Sequence, residues 1–200
     1  MTCLETLPPT TLRERLFAVL ETQRLVLRAP QFEDAKAVAT LANDRRIAEN
    51  TARIPHPYRM SDAETWIVGS AAELDAETYL ITLANGSMIG GCGFDMRDGV
   101  PEIGYWLGVR HWGKGYATEA VRAMIDHVFT DLDCEAIQSS ARVTNPASRR
   151  VLEKCGFQWT GAGLQRIRAI SSSAPIDRFR LDRGLWASLK SWGASKRVVA

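Results

Sequence analysis

The segment from Gly108 to Glu119 has the composition of an anion-binding turn between a strand and a helix. Arg110 is followed by Gly113 and Gly115 in an R-x-x-G-x-G spacing, and Lys114 lies between the two glycines. Glycine permits positive φ and lets main-chain N–H groups approach a ligand, while the positive end of the following helix dipole points to the same place. The segment therefore predicts a phosphate-binding turn.

Two kinds of phosphate site compete for this turn. Residues 108–114 also spell G-x-x-x-x-G-K, as in a P-loop, but Gly115 stands where Mg²⁺ coordination needs a serine or threonine hydroxyl. A turn that holds the pyrophosphate of coenzyme A needs no metal, because backbone amides and a helix N-terminus can hold the anion. We favour the second interpretation, and a glycine-rich turn without any ligand is the third.

Length, charge and cysteine usage limit the class of protein. The 200 residues, 46% hydrophobic and 24% charged, suit one compact domain with a sizeable core. A net charge of +2, with scattered lysines and arginines, gives no support to direct nucleic-acid binding. The cysteines and the three histidines show no metal-ligand spacing, so we expect no metal and a reducing, cytoplasmic location. The cysteines are Cys3, Cys92, Cys134 and Cys155.

Hydrophobic periodicity predicts alternating strands and helices without a domain linker. Residues 1–22 form an N-terminal extension with a short amphipathic helix, residues 23–188 the domain, and residues 189–200 a C-terminal tail. The uncharged run 78–94 is broken by Asn85-Gly86-Ser87, so we expect a hairpin and no membrane span. Strands are predicted at 24–28, at 78–96 (the hairpin), at 102–109, at 136–143, from residue 157 onward and at 176–185. Helices are predicted through 35–41, after a capping box at 61–64, from residue 117 and from residue 146. A polar loop is predicted at 171–174.

Three segments in this order resemble the GNAT acetyltransferases. They are Thr22–Arg28, then Gly104–Leu107 running into the phosphate turn, then Asn145–Phe157. The subgroup that they resemble is the RimJ/RimL-type N-acetyltransferases, over about residues 22–186. The resemblance implies a mixed α/β (α+β) fold, in which helices flank a mostly antiparallel, twisted central sheet. Its fourth and fifth strands splay apart to admit acetyl-CoA.

The resemblance also implies which residues bind acetyl-CoA as co-substrate. The turn would hold the pyrophosphate, the strand before it would offer backbone hydrogen bonds to the pantetheine arm, and Asn145 would bond that arm. A main-chain N–H aimed at the thioester oxygen would stabilise the oxyanion that forms when an amine attacks. The expected set is Trp106, Leu107, Val109, Arg110, Trp112, Gly113, Lys114, Gly115, Tyr116, Ala117, Thr118, Asn145 and Ser148.

Two residues are candidates for proton transfer. Ser148 would lie near the departing thiolate and could protonate it directly or through water. Asn145 and Ser148 are also an ordinary helix cap and first-turn residue, and Tyr105 or Tyr116 are alternative acids. Glu102 is the candidate base, because an amine is protonated at pH 7 and must lose a proton before it attacks. A glutamate at the start of a strand is usually only solvated.

Other polar and aromatic residues are weaker candidates. Some RimL-like relatives carry a carboxylate shortly after the Gly-Phe pair, where this chain has Trp159-Thr160. His56 and His111 are fallback bases, and His127 is expected to cap a helix C-terminus. The aromatic residues Trp66, Trp106, Trp112 and Trp159 fit a core or an acceptor pocket.

The expected activity is acetyl transfer from acetyl-CoA to a primary amine by direct attack in a ternary complex. The amine is a protein N-terminus or a small molecule. The loops expected to face it, 54–60 and 166–177, carry mixed charges in Arg59, Arg166, Arg168 and Asp177. The alternative is a non-catalytic acyl-CoA-binding sensor or scaffold of the same fold. The resemblance is compatible with a homodimer.

Overall fold

The computed structural model describes residues 18–73 and 75–195, which build one open eight-stranded sheet with helices on both faces. The strands are β1 (Leu20–Glu21), β2 (Leu25–Arg28), β3 (Ala76–Leu83), β4 (Met88–Arg97), β5 (Val100–Leu107), β6 (Ala136–Arg142), β7 (Gln158–Ile167) and β8 (Ser172–Asp182). The helices are α1 (Ala35–Ala42), α2 (Arg45–Ala48), α3 (Met60–Ala72), α4 (Tyr116–Asp131), α5 (Pro146–Lys154) and α6 (Arg183–Ser195). Short 3₁₀ turns span Phe32–Asp34, Val109–His111 and Arg168–Ile170.

The strand order is β1-β2-β3-β4-β5-β6-β8-β7, and each neighbouring pair is antiparallel except β5 and β6. These two strands are parallel and pair only at Glu102 with Gln138 and Ile103 with Ser139. They are the predicted fourth and fifth strands, numbered one higher because β1 was not predicted. The mixed fold, the mostly antiparallel sheet and the splay are confirmed.

Two hydrophobic cores cover the two faces of the sheet. Buried residues of α4 and α5 pack with one face, and Tyr105 joins that core. Buried residues of α1 and α3 pack with the other face, and Trp106 joins that one. Successive residues of β5 therefore point to opposite cores, as strand geometry requires. Glu102 and Trp106 share the face that α1 and α3 cover.

The end of the predicted N-terminal helix is a strand. Leu20 and Glu21 pair with Leu27 and Val26, so this part of the helix prediction is wrong. Thr22 turns the chain back, because its N–H donates to the Leu25 carbonyl and its hydroxyl oxygen accepts from the Leu25 N–H, each at 2.9 Å. Residues 1–17, which contain most of the predicted extension, lie outside the described residues.

The C-terminal part of the chain is more regular than the sequence suggested. The predicted loop at 171–174 is mostly β8, since the chain reverses earlier, at Arg168–Ser171. The last strand ends at Asp182 rather than 185, and the predicted domain boundary at 188 falls inside α6. Arg183 begins this helix and donates to the Phe129, Leu132 and Cys134 carbonyls at the end of α4, at 2.7–2.8 Å. Those contacts anchor a segment that the sequence had assigned partly to a tail.

Helices α3 and α2 differ from the sequence prediction. Helix α3 begins at Met60 with Arg59 as N-cap, and the Asp62 carboxylate accepts from the Arg59 N–H at 2.9 Å. The capping interaction therefore lies two residues before the expected Ser61 start. The four-residue α2 was not predicted; Asp44 caps it by accepting from the Arg46 N–H.

Candidate active site

The splay between β5 and β6 is the centre of the candidate site. Pairing ends at Ile103 and Ser139, where the Ser139 hydroxyl also donates to the Ile103 carbonyl at 2.8 Å. Beyond this point, within the described sheet, the β5 edge that faces β6 has no strand partner. Gly104, the next residue of β5, is exposed. The result is a wedge-shaped opening through the sheet with free backbone groups on its wall.

The phosphate-binding turn lies at the wide end of this opening. Gly113 and Gly115 have φ of 74° and 82°, the left-handed conformation that glycine adopts without penalty. Gly115 is the N-cap of α4, which therefore starts without a side-chain cap on its first N–H groups. Arg110 and Lys114 are exposed beside it. Open amides, a helix dipole and two cations form a site that suits a pyrophosphate without a metal.

A brace from the turn between β1 and β2 holds the phosphate-binding turn in place. The Arg24 guanidinium donates to the Lys114 carbonyl at 3.1 Å, pairs with the Glu119 carboxylate at 2.6 Å and lies over the Tyr116 ring. The Thr22 hydroxyl donates to the same carboxylate at 2.7 Å. Burial alone would raise the Glu119 pKa, but the hydrogen bonds from Thr22 and Arg24 hold it below its ordinary value. The sequence placed Thr22 and Arg24 in a family motif without showing this role.

The indole of Trp112 fixes the other side of the turn. Its Nε1 donates to the Leu107 carbonyl at 2.7 Å, so the last residue of β5 is bound to the loop that follows it. Val109 lies in the intervening 3₁₀ turn rather than in the strand. Ala117 and Thr118 are half-buried in the first turn of α4. All the residues expected around the pyrophosphate are thus contiguous in space at the N-terminus of α4.

Ser148 and Tyr105 meet across the splay. Their hydroxyl oxygens are 2.8 Å apart, and the Tyr105 hydroxyl also lies 3.2 Å from the Ser148 carbonyl. Burial is the main reason that the pKa of the Tyr105 phenol is raised, so this group stays protonated at neutral pH. The Asn145 side-chain oxygen accepts from the Ser148 N–H at 3.1 Å and caps α5. Tyr116, the other alternative acid, lies instead under Arg24 at the turn.

Glu102 approaches the same opening from the other face. One carboxylate oxygen accepts from the Ser140 hydroxyl and the other pairs with Arg97 Nε, each at 3.2 Å. Its side chain is 27% exposed, so water reaches it. The structure therefore places Glu102 and the Ser148–Tyr105 pair on opposite faces of the sheet, with Glu102 at the paired positions where the splay begins.

Two of the predicted histidines lie at opposite ends of α4. His111 is in the 3₁₀ turn, and burial, followed by Lys114 and Arg110, lowers its pKa. His127 lies near the C-terminal end of α4, but it bonds Glu77 and Asp131 side chains at 2.7 and 2.6 Å instead of only the helix end.

The three cysteines among the described residues are poor nucleophiles. Burial raises the pKa of Cys92 to about 12 and that of Cys155 to about 11, and it also raises that of Cys134. Thiols held in this way carry little thiolate at neutral pH, which favours direct attack over a covalent acetyl-enzyme.

Trp66 and Trp106 pack against the core under α1 and α3, which fits the core interpretation of these aromatics. Trp159 is 55% exposed, and its Nε1 donates to Asp177 at 2.9 Å. Asp177 is not a loop residue: it is buried in β8 and also pairs with Arg149. Its carboxylate is therefore engaged away from the expected acceptor loops.

Residues 18–73 and 75–195 were searched for a metal site and for a membrane-spanning helix. No three histidine, cysteine, aspartate or glutamate side chains in these ranges are grouped to hold a metal ion. None of the helices formed by the same residues has the length and apolar character needed to cross a bilayer.

Comparison with known proteins finds a matching family, a relative in sequence and similar solved structures. The family model described as "Acetyltransferase (GNAT) domain" matches residues 24–158. The N-acetyltransferase p20 of Bacillus licheniformis, itself uncharacterized, is 34% identical over 148 residues, which are 71% of this chain and 83% of p20. Among solved structures, RimL, a ribosomal L7/L12 α-N-protein acetyltransferase in complex with coenzyme A, gives a TM-score of 0.73 at 20% identity, covering 82% of this chain and 98% of RimL.

The spermidine N-acetyltransferase of Vibrio cholerae, in complex with CoA and spermine, gives a TM-score of 0.72 at 20% identity, covering 83% of this chain and 99% of that one. These structural likenesses confirm the fold, while the match of the family model extends over more than half of the sequence. The splayed sheet, the glycine turn at the N-terminus of α4 and the family match together show that this chain belongs to the GNAT family of acetyltransferases.

Proposed function

We propose that this protein transfers the acetyl group of acetyl-CoA to a primary amine by direct attack in a ternary complex. The observation that carries the proposal is the splay, with a carboxylate on one face, a hydroxyl pair on the other and an anion-binding turn at its wide end. The solved relatives named above bind coenzyme A, and the turn has the open amides and cations that a pyrophosphate needs. Acetyl-CoA would supply the activated thioester.

Residues 110–118 would hold the pyrophosphate, and the unpaired edge of β5 would bind the pantetheine arm in the opening. Asn145 uses its side-chain oxygen to cap α5, which leaves its amide NH₂ to donate to that arm. Backbone N–H groups of the β5 edge would hydrogen-bond the thioester oxygen and stabilise negative charge there as the amine attacks. The wall of the opening thus binds and orients the thioester by main-chain groups.

Glu102 would accept the proton that the ammonium group of the acceptor must lose, directly or through water. The amine nitrogen then bonds to the acetyl carbon while the carbon–sulfur bond breaks. Ser148 would give its proton to the departing sulfur, and Tyr105, 2.8 Å away, would restore that proton to Ser148. The second proton that the nitrogen loses as it becomes an amide would return through water to Tyr105. The proton taken up by Glu102 returns to solvent, so the net reaction releases an amide, free CoA and one proton.

The first experiment is calorimetric titration of the folded protein with acetyl-CoA in EDTA, with CoA and Mg-ATP as comparison ligands. We expect micromolar, metal-independent binding of acetyl-CoA. Absence of binding by folded protein would overturn the proposal. Mg²⁺-dependent ATP binding would instead support the P-loop interpretation of the turn.

The second experiment measures thiol release with peptide N-termini and small amines, each with mass-spectrometric detection of the acetylated product. Turnover with any of these amines separates an enzyme from an acyl-CoA-binding scaffold. Ser148→Ala tests the candidate acid in the same assay, and Ser188→Ala, on α6 and away from the splay, is its control. Acetyl-CoA binding without acetylation of any amine would refute catalysis and favour the scaffold.

A further inference from the structure

A surface cavity of about 480 Å³ lies beside Glu102 and is lined mainly by arginines. Arg53, in the loop before α3, and Arg97, at the end of β4, form one side. Arg166, near the end of β7, and Arg168, at the start of the following 3₁₀ turn, form the other. Arg97 links the cavity to the candidate base, since its Nε lies 3.2 Å from a Glu102 oxygen. No carboxylate lines this cavity within the part of the chain that the structure describes.

The four arginines differ in how their charge is balanced. Arg53 pairs with Asp95, and Arg97 pairs with Glu102. Arg166 and Arg168 are exposed and form no ion pair or side-chain hydrogen bond with any described residue. Only the backbone of Arg168 is held, because its N–H donates to the Ala52 carbonyl at 3.0 Å. Two guanidinium groups therefore point to the cavity with all their donors available.

The lining of this cavity is cationic, whereas the sequence suggested mixed charges in the loops that face the acceptor. Asp177, the acidic residue expected in these loops, lies in β8 and is bonded to Trp159 and Arg149. The remaining expected residue, Arg59, is the N-cap of α3. The backbone contact from Arg168 to Ala52 joins the β7–β8 turn to the loop before α3. The cationic wall is thus a fixed feature of the acceptor side of the sheet.

We propose that the acceptor is a primary amine that also carries a carboxylate or phosphate group, and that Arg166 and Arg168 bind this anion. This inference rests on the proposed function and names the class of its acceptor. Guanidinium groups bind carboxylate and phosphate with two parallel hydrogen bonds. An anion held there directs the rest of the molecule along the arginine-lined cavity, toward Arg97 and Glu102. A polyamine would instead meet repulsion from the same wall.

The test compares amines matched in size in the acetyl-transfer assay. One pair is a peptide beginning Ser-Asp-Glu against the same peptide with Ser-Asn-Gln. A second pair is 2-aminoethylphosphonate against ethanolamine, and spermidine represents polycations. We expect kcat/KM to be about tenfold or more higher for the anionic member of at least one pair, mainly through KM, and to fall with added salt. The pair that shows the preference distinguishes a peptide from a small molecule.

The double variant R166Q/R168Q should remove the preference, lowering kcat/KM about tenfold for the anionic amine and leaving that of its neutral partner unchanged. Arg180→Gln is the matched control, because Arg180 lies on β8 and pairs with Asp182 outside the cavity. Binding of the N-acetylated acidic peptide, measured by fluorescence anisotropy without CoA, should weaken in the double variant and not in the control.

Failure of this inference differs from failure of the proposed function. Acetyl transfer with equal or greater efficiency for neutral amines or spermidine, or a preference unchanged in the double variant, would overturn the anion site and leave the acetyltransferase proposal intact. Absence of acetyl-CoA binding would overturn the proposed function. The anisotropy measurement would still report whether the arginines bind an acidic peptide.

Discussion

At the scale of single residues, the group that we propose as proton donor is a pair of hydroxyls. Ser148 and Tyr105 come from α5 and β5 and meet with 2.8 Å between their oxygens. Burial keeps the Tyr105 phenol protonated, because it raises the pKa of that group. The sequence left Ser148 and a tyrosine as alternatives, and the contact between them suggests that they act in series.

Ser148→Ala should lower kcat about 10²-fold, the usual contribution of a general acid, while the Kd for acetyl-CoA changes little. Tyr105→Phe should reduce kcat less, since solvent can replace the second donor. If the hydroxyls act in series, the double variant will be no slower than Ser148→Ala, which a double-mutant cycle measures. Fully additive losses would show that the two hydroxyls act independently.

Glu102→Gln should lower kcat/KM about 10²-fold at pH 7, because the amide cannot accept the ammonium proton. The loss should shrink as pH rises through the pKa of the amine, about 8 for a peptide N-terminus, since the amine then needs no base. A pH profile of kcat/KM for wild type and variant measures this convergence. Glu33→Gln, at an exposed glutamate next to α1, is the control. A loss that is constant with pH would contradict a role as base.

At the scale of elements, the turn between β1 and β2 supports the phosphate-binding turn through the pair that Arg24 forms with Glu119 of α4. The ion pair, the contact with the Lys114 carbonyl and the position over Tyr116 all connect the β1–β2 turn to the start of α4. This explains why a strand motif far from the turn in sequence belongs to the same site.

Arg24→Ala should weaken CoA binding about fivefold, which corresponds to about 1 kcal/mol for a partly exposed charged contact. Calorimetric titration with CoA measures the change, and a thermal melt reports any general loss of stability. Arg45→Ala, which removes an exposed ion pair with Glu49 on α2, is the control. Equal Kd values for Arg24→Ala and Arg45→Ala would mean that the brace does not position the turn.

Gly113→Ala tests the backbone of the turn without adding a contact. A Cβ at this position meets no atom within 4 Å, so the φ of 74° is the only obstacle. A left-handed conformation costs a non-glycine residue about 1–2 kcal/mol, and we expect CoA to bind roughly tenfold more weakly as the turn relaxes. Gly99→Ala, in the β4–β5 turn at φ 77° with equally open space, should cost similar stability and leave the Kd unchanged. Equal effects on Kd would remove the link between this backbone and the ligand.

At the scale of the whole molecule, a buried histidine connects α4 to the sheet. The side chain of His127 is 8% exposed and bonds Glu77 on β3 and Asp131 on α4, with the Tyr79 hydroxyl 3.2 Å from its Nε2. The hydrogen bond to Glu77 is the main reason that its pKa is raised, despite burial. When protonated, His127 therefore donates to acidic groups of two different elements.

A group with a raised pKa stabilises the fold fully below its unfolded pKa, about 6.5 for histidine, and this contribution is lost as pH rises through the folded pKa. The free energy of unfolding of wild type should therefore exceed that of His127→Asn most at pH 6 and less at pH 9. Urea denaturation at both pH values measures this difference. A difference that grows with pH would contradict the charged pair.

Much of the fold followed from local patterns. The hairpin at 78–96, the amphipathic α4 and the Asn145-Pro146 start of α5 depend on turn residues and periodicity within one segment, and the structure confirms all three. The errors lie where tertiary contacts override that signal. Leu20 has helical spacing but pairs with Leu27, and residues 183–195 are helical where α6 packs against the end of α4.

The sequence by itself determined the glycine turn, because positive φ and helix capping are local properties of the chain. It also determined the family, through three motifs that resemble it, and that resemblance implied the candidate acid and supported the candidate base. Tertiary structure alone decided which groups meet. The contact of Tyr105 with Ser148, the ion pair of Arg24 with Glu119 and the hydrogen bond from Trp159 to Asp177 each join residues far apart in sequence. Such contacts depend on how elements pack across the sheet, and neither periodicity nor spacing encodes that geometry.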